Sequence, residues 1–494
     1  MRRDIEQLKA NRFDILVIGG GINGCAIARD AALRGAKVAL IEKDDFASGA
    51  SGKTTKLIHG GIRYLEQFNF KLVYEALRER AILLKTAPHL VKPLEFIIPV
   101  YKNDPRSLLK IRLGVFIYDR MAASDNIRCH RTLNKNELLS LEENMNSRGL
   151  KGAVMYCDAQ MDDVRLCLDN AISAFNAGAC IANKAEVKGF IKDKGRITGI
   201  EASDKLRGER FSILAGIIVN ATGAWSNQIV RMDEPDASAI TRPTKGIHIV
   251  YRRLPHERAI LLSAHKDKRI FFVIPWRGFS LIGTTDTDYR GSEDEVYASM
   301  DEVEYLLKET RRVFPGENID KKGIITTYAS LRPLVNTQGK PAWQVSREHL
   351  IKESHSGLIS VVGGKYTTYR HLAEQVVDLA LAKIEGRNFR RCVTHTVGPS
   401  APTPLSKQTD LPKLIEDAVK EEMTNTLTDL LARRLQFSTL PSQGLDRLGE
   451  CADIMANFLG WTDAEKEREI ESYKEEARKN RLNGDSDSFS VNKS

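Results

Sequence analysis

"FDILVIGGGINGCAIARDAALRGAKVALIEK", residues 13–43, decides how this 494-residue chain begins to fold. A short apolar run, a glycine turn, an alanine-rich stretch at helical spacing and a second apolar run, "KVALIEK", read in that order as strand, helix, strand. Gly19-x-Gly21-x-x-Gly24 closes the first strand and opens the helix. Gly19 permits the turn, Gly21 lets a backbone approach a pyrophosphate, and Gly24 lets the helix pack closely on the strand. Ile22 and Asn23 lie between them at the helix N-terminus, where N–H groups face an anion. About twenty residues on, Glu42 ends the second strand, where a carboxylate accepts hydrogen bonds from a ribose, and Lys43 follows it. The unit reads as an adenine-dinucleotide site.

Composition narrows the partners. Lys and Arg number 74 against 65 Asp and Glu, a formal charge of +9, so an anionic partner is expected: a phosphorylated metabolite, an anionic membrane surface or nucleic acid. The basic residues are scattered, with no dense run and no interleaved aromatics, which argues against nucleic acid. Seven cysteines form no C-x-x-C pair, so no disulfide framework, zinc or iron–sulfur site is expected, and reduced thiols in a cytoplasmic setting are the default. The opening "MRRDIEQLKANRFDILVIGGG" does not read as a signal peptide, and no window reaches the ~18 apolar residues of a membrane span. Met1, Ile5 and Leu8 share one helical face with Arg2, Arg3, Lys9 and Arg12 around it, a short basic amphipathic pattern suited to anionic lipid. The more apolar "PRSLLKIRLGVFIYDRMA" (105–122) does not segregate its charges and is expected to pack in the core.

Further along, "EFIIPVY" (95–101), "GIHIVYR" (246–252), "RIFFVIPW" (269–276) and "FSLIGTTD" (279–286) are strand-like runs without intervening helices, hence an antiparallel sheet. "AGIIVNATGAWS" (215–226) and "GLISVVGGKYTTYRHLAEQVVDLAL" (357–381) each place a tight turn after a strand, and a helix follows the second. The expected fold class is α/β plus α+β: a discontinuous Rossmann-like dinucleotide domain (12–90, 150–240 and 355–398), an antiparallel-sheet substrate domain (91–149 and 241–354), a helical C-terminal domain (399–480) and a disordered tail (481–494).

The loop "DDFASGASGKTTKLIHGG" after the second strand favours FAD over NAD. It is rich in small hydroxyl residues and suits a deeply held cofactor, with Ser48, Ser51, Thr54 and Thr55 donating to phosphate, ribitol or flavin oxygens. "NATGAW" at a strand end and "GGK" at a helix start supply two more backbone approaches to the same ligand.

These segments resemble the FAD-dependent glycerol-3-phosphate dehydrogenases, within the larger group of D-amino-acid-oxidase-like flavoproteins. The resemblance runs through "VIGGGINGCAIARDAALRG", "KTTKLIHGGIRYLE", "EALRERAILLKTAPHL", "KGIHIV", "RIFFVIPW", "IGTTDTDY", "LRPL" and "GGKYTTYRHLAE", and it continues into the helical C-terminus. It implies non-covalent FAD, oxidation of sn-glycerol 3-phosphate at C2 to dihydroxyacetone phosphate, and electrons passed to membrane quinone by an enzyme peripheral to the cytoplasmic face of the cell membrane. It is compatible with a homodimer. It also implies a cofactor set of Gly19, Gly21, Gly24, Ile22, Asn23, Glu42, Lys43, Ser51, Thr54, Thr55, Lys56, Leu57, His59, Gly60, Ala221, Thr222, Gly223, Gly364, Lys365 and Thr368. Arg63, Tyr64, Lys365 and Thr367 are the implied substrate pocket, and His248 and Arg332 the implied catalytic pair. The residue types fit the task. A phosphate dianion wants cations and hydroxyl donors together, and an alcohol that loses hydride must also lose its hydroxyl proton, to an imidazole or beside an arginine. An oxygen-reducing oxidase, or a dehydrogenase of another 2-hydroxy or amino acid, would use the same residue types.

Overall fold

The computed structural model describes residues 1–336, 348–399 and 410–481, and the structural statements below concern those residues. The first strand, Arg12–Ile18, lies in the middle of a sheet, parallel to Val38–Ile41 on one side and to Arg210–Asn220 on the other. Ile15, Leu16 and Val17 are all fully buried, so this strand is apolar on both faces, as a central parallel strand requires. The sheet runs from His349–Glu353 through Leu358–Gly363, Arg210–Asn220, Arg12–Ile18 and Val38–Ile41 to Cys180–Ala182, and a hairpin of Ala185–Asp193 and Arg196–Asp204 joins it at Arg210–Asn220. Helices Ile22–Leu33, Asp163–Asn176 and Tyr369–Leu381 pack together in the core over one face. The hairpin and helix Ile5–Ala10 cover the other.

A second, ten-stranded sheet is antiparallel except where Ala259–Ser263 runs parallel to Val91–Tyr101. Its longest pairing joins Thr241–Tyr251 to Ile324–Val335. Helices Phe70–Thr86 and Leu108–Ala122 pack on one side of this sheet, and Met300–Arg311 on the other. The C-terminal helices Leu411–Glu422, Leu448–Leu459 and Asp463–Asn480 enclose a small core of their own around Leu430, Leu431, Met455 and Tyr473. They are tied to the dinucleotide unit by a buried ion cluster. Asp45 accepts two hydrogen bonds from Arg434, at 2.8 and 3.0 Å, and a third from Arg433. These guanidinium groups hold the Asp45 carboxyl well below the usual carboxylate range despite its burial.

Two expectations are corrected. Met1, Ile5 and Leu8 are buried at 5%, 8% and 0% exposure, and Arg3 is paired with Asp204, so the N-terminal amphipathic face packs into the protein and is closed to lipid. Helix Leu108–Ala122 is only half a core element. Val115, Tyr118 and Ala122 are buried, whereas Leu109, Leu113 and Phe116 are 74%, 57% and 46% exposed. The tail expected to be disordered lies outside the described residues from 482 onward. No helix among the described residues is long and apolar enough to cross a membrane.

Candidate active site

The glycine fingerprint folds as its spacing predicts. Gly19 adopts φ +110°, open to glycine, and a Cβ there would meet the Ala221 carbonyl oxygen at 2.7 Å. Gly24 lets helix Ile22–Leu33 settle against the preceding turn, since a Cβ would stand 1.9 Å from the Gly19 carbonyl oxygen. Gly21 caps this helix without a side chain, and the first exposed N–H, of Ile22, donates to Ser51 Oγ at 2.9 Å. Glu42 ends the second strand with its carboxylate accepting from Gly20 N (2.6 Å) and Asp44 N (2.8 Å). Burial pushes its pKa up to about 7.

These residues open onto a cavity of about 900 Å³ that runs between the two sheets and is walled on one side by the C-terminal helices. Gly19, Gly21, Ile22, Asn23, Glu42 and Lys43 line its dinucleotide end, with Ala221, Thr222 and Gly223 beside them. Ser51, Thr54, Thr55, Lys56, Leu57 and His59 line the middle, and Arg63, Tyr64, His248, Arg332, Gly364, Lys365 and Thr367 complete the wall. Three of the expected cofactor residues lie off it. Gly24 acts through helix packing; Gly60 is buried under Tyr118; and Thr368 is buried, with its hydroxyl donated to the Lys365 carbonyl oxygen. Lys56 reaches the cavity but its ammonium is paired with Asp163 and donates to Gly52 O at 3.0 Å, and the Thr54 hydroxyl also donates to Asp163.

His248 sits in strand Thr241–Tyr251 directly opposite Tyr328, whose ring stacks on the imidazole at 4.9 Å. Nε2 lies 2.9 Å from Thr55 Oγ1, and the buried Nδ1 has no hydrogen-bond partner. Burial, with Arg332 and Lys56 nearby, drives the imidazole pKa well below 6.5, so the ring is neutral at physiological pH. Arg332 Nη2 donates to Thr284 Oγ1 (2.8 Å) and to Thr285 O (3.1 Å), and Nη1 reaches Asp286 at 3.3 Å. Arg63 and Lys365 lie over the ring of Tyr64 at 5.7 and 5.2 Å. Lys365 donates to the carbonyls of His59 (3.2 Å) and Gly60 (3.1 Å), and burial lowers its pKa to about 7. Thr367 Oγ1 accepts from His59 N and bonds His59 O, both at 3.1 Å, so it secures the turn. His59, buried near Lys365, Arg63 and Arg80, has a pKa of about 3 and stays neutral.

Several residues that shape the site escape sequence reading. Gly283 and Gly246 make room for His248 and Arg332: a Cβ on Gly283 would stand 2.3 Å from His248 Cδ2, and one on Gly246 2.2 Å from Arg332 Nη2. Tyr328 stacks on His248 and donates to Thr54 O at 2.7 Å, while Arg269 and Lys53 add positive charge to the wall. Glycines in strands signal a close approach, a cue available at both positions.

The cavity suits an extended, anionic, two-ended ligand: glycines and a helix N-terminus at one end, neutral imidazole and cations at the other. The comparisons agree. Residues 14–370 match the FAD dependent oxidoreductase family, and residues 359–466 match the C-terminal domain of alpha-glycerophosphate oxidase. The chain is 37% identical to a glycerol-3-phosphate dehydrogenase of Synechocystis sp., across 97% of this chain and 98% of that one. It is 34% identical to the aerobic glycerol-3-phosphate dehydrogenase of Staphylococcus haemolyticus, across 91% and 81%. Its structure resembles that of the glycerol-3-phosphate dehydrogenase from Bacillus halodurans complexed with FAD, with a TM-score of 0.80 and 26% identity over 96% of both chains. FAD is the cofactor this fold and this cavity serve, and the chain belongs to the FAD dependent oxidoreductases, in the group of the glycerol-3-phosphate dehydrogenases.

Proposed function

We propose that this oxidoreductase converts sn-glycerol 3-phosphate to dihydroxyacetone phosphate and passes the electrons through FAD to membrane quinone. The observation that carries the substrate is the pairing of Arg63 and Lys365 over Tyr64 in the cavity wall, two cations with no carboxylate partner among the described residues. A phosphate dianion would satisfy both. The dinucleotide end falls to the fingerprint glycines, Glu42 and the hydroxyls of Ser51 and Thr55, and bound FAD supplies the hydride-accepting chemistry.

His248 is assigned the hydroxyl proton of the substrate. Its Nε2 lies 2.9 Å from the Thr55 hydroxyl, and in the tautomer that leaves Nε2 unprotonated it accepts that O–H. No carboxylate is bonded to Nδ1 to stabilise an imidazolium, so the proton is held weakly and released readily. Arg332, always charged and braced by Thr284, Thr285 and Asp286, favours the developing alkoxide.

A quinone acceptor requires contact with a bilayer. The exposed Leu109, Leu113 and Phe116 form one stripe of helix Leu108–Ala122, with the exposed Lys110, Arg112 and Arg120 among them, and this is the face assigned to anionic lipid in place of the N-terminal helix. Flotation with anionic vesicles, compared with a Leu113→Glu/Phe116→Glu variant, checks it. Loss of binding is expected, and retained binding would remove that face.

The match of residues 359–466 to an oxidase C-terminal domain favours a second reading in which oxygen takes the electrons. Stoichiometric hydrogen peroxide without added quinone would select it. The reaction itself is tested anaerobically. Bleaching of the flavin band on adding sn-glycerol 3-phosphate, with no response to glycerol or lactate, is expected; a bound flavin that stays oxidised would discard the substrate.

A further inference from the structure

The peptide joining His59 to Gly60 is held from opposite sides by opposite charges. Its N–H donates to Asp158 Oδ1 at 3.4 Å, and its carbonyl accepts from Lys365 Nζ at 3.2 Å. Asp158 is 1% exposed, lies in strand Leu150–Met161 behind the turn, and does not line the cavity. It also accepts from Tyr118 Oη, at 2.9 and 2.8 Å to its two oxygens, and from Arg80 Nη1 at 2.6 Å. Gly60 is fixed between them, since a Cβ there would stand 2.3 Å from Tyr118 Oη.

We propose that Asp158 is a positioning residue for the anion site: acting across the His59–Gly60 peptide, it keeps the Lys365 ammonium charged and aimed at the anionic end of the substrate. A carboxylate on the N–H side strengthens the carbonyl as an acceptor on the other, and in a dry environment its negative charge acts on the ammonium directly. The proposal rests on the reading of Lys365 as part of the phosphate site.

The groups facing Lys365 leave few other sources of negative charge. Its own side of the turn offers neutral His59 and the cation Arg63, and helix Phe70–Thr86 brings Glu75 and Arg80. Tyr64 lies beneath the ammonium as a ring face. Among the carboxylates, Asp158 does most to keep the proton on Lys365 and Glu75 less, against the stronger effect of burial. Without Asp158, the amine should be largely neutral at pH 7.

The test uses the FAD-loaded full chain. In Asp158→Asn, the midpoint for pH-dependent acylation of Lys365, followed by mass spectrometry without substrate, should fall by about one pH unit. The KM for sn-glycerol 3-phosphate at pH 7 should rise about fivefold while kcat changes less than twofold. Where the unpaired Arg80 prevents folding, Asp158→Asn with Arg80→Met removes both charges and should give a smaller shift in the same direction, since the loss of Arg80 partly offsets the loss of Asp158. In a Lys365→Arg background, whose guanidinium does not titrate, the Asp158 change should leave the pH profile of kcat/KM unmoved. An unchanged acylation midpoint in the folded variants would overturn the proposal, as would a kcat loss equal to the loss in kcat/KM. A parent enzyme whose flavin ignores glycerol 3-phosphate would overturn the substrate reading alone, because the acylation midpoint still reports on Asp158.

Discussion

Gly283→Ala tests whether the position of His248 sets the rate. Gly283 lies beside His248 in the antiparallel ladder, and its added methyl would stand 2.3 Å from Cδ2 of the ring. Carbon atoms in contact rest about 3.5 to 4.0 Å apart, so the ring or the strand must give by more than ~1 Å. Any shift of the ring disturbs its contacts: Tyr328 stacks on one face at 4.9 Å, and Thr55 lies 2.9 Å from Nε2. A displacement of ~1 Å in a catalytic group costs on the order of 100-fold in rate, or about 2.7 kcal/mol of barrier. The readout is single-turnover flavin reduction by sn-glycerol 3-phosphate under anaerobic conditions, with FAD content checked from the spectrum. We expect kcat to fall about 100-fold while KM, which the proposed phosphate site at Arg63 and Lys365 would govern, changes little. The same substitution in His248→Ala should add less than about twofold, because the clash has gone with the ring. A Gly283→Ala enzyme with full FAD and kcat within about threefold of the parent would refute the placement of His248 in the chemical step.

Three further outcomes follow from the same geometry. Arg63→Ala should raise the KM for glycerol 3-phosphate by about 10- to 150-fold, the worth of a charged hydrogen-bonding contact, with flavin content unchanged by absorbance; unaltered kinetics would dismiss the phosphate site. Since burial places Lys365 at about 7 and the dianion favours the ammonium, affinity should fall as pH rises through 7, by about tenfold per unit once past it; kcat/KM measured from pH 6.5 to 9 reads this, and a flat profile would contradict it. Arg434→Met strips Asp45 of its two-pronged partner, and breaking a buried pair costs about 3–5 kcal/mol. Because the Asp45 pKa is depressed in the fold, the pair stabilises above the unfolded carboxylate pKa and its contribution fades as pH drops toward the folded value. Melting temperature and FAD retention at pH 7 should therefore both fall in this variant, and an unshifted melt would show that the latch does not matter.

The parts of this molecule legible in the sequence are those where one residue type has one physical use. Gly19 and Gly24 are forced by backbone approach, and their spacing announced both the turn and the ligand class. The runs around 246–252 and 269–286 are strands because nothing in them favours a helix, and they pair antiparallel. Legibility fails where one pattern serves two ends. Met1, Ile5 and Leu8 make an apolar face that would suit lipid or core equally, and the core covers it. Leu109 and Leu113 give the opposite error, for nothing local shows that the neighbouring elements leave them uncovered. Lys56 lines the cavity as a cofactor residue would, and the pairing of its ammonium with Asp163, 107 positions away, is not visible in the spacing. Arg269 and the Asp45–Arg434 pair depend on contacts between distant segments, which no spacing along the chain encodes.

The arrangement around His248 and Arg332 is a consequence of strand geometry. Side chains two apart along a strand share a face, and Tyr328, Ser330 and Arg332 of strand Ile324–Val335 all line the cavity. In the paired strand, Tyr328 meets His248, Ser330 meets Gly246 and Arg332 meets Thr244. The imidazole thus gains a ring to stack on from directly across the ladder, and the missing side chain at Gly246 is the opening into which Arg332 leans. A one-residue slip of either strand would turn one set of these side chains to the other face of the sheet. Tyr328 Oη and Ser330 Oγ also bond the carbonyls of Thr54 and Lys53, at 2.7 and 3.1 Å, so the same strand that sets the imidazole anchors the hydroxyl-rich loop. Thr55, next in that loop, returns to His248 Nε2. The loop from the dinucleotide unit and the imidazole from the second sheet are therefore fixed by one closed circuit of contacts, and a change at Tyr328 should disturb flavin binding and proton transfer together.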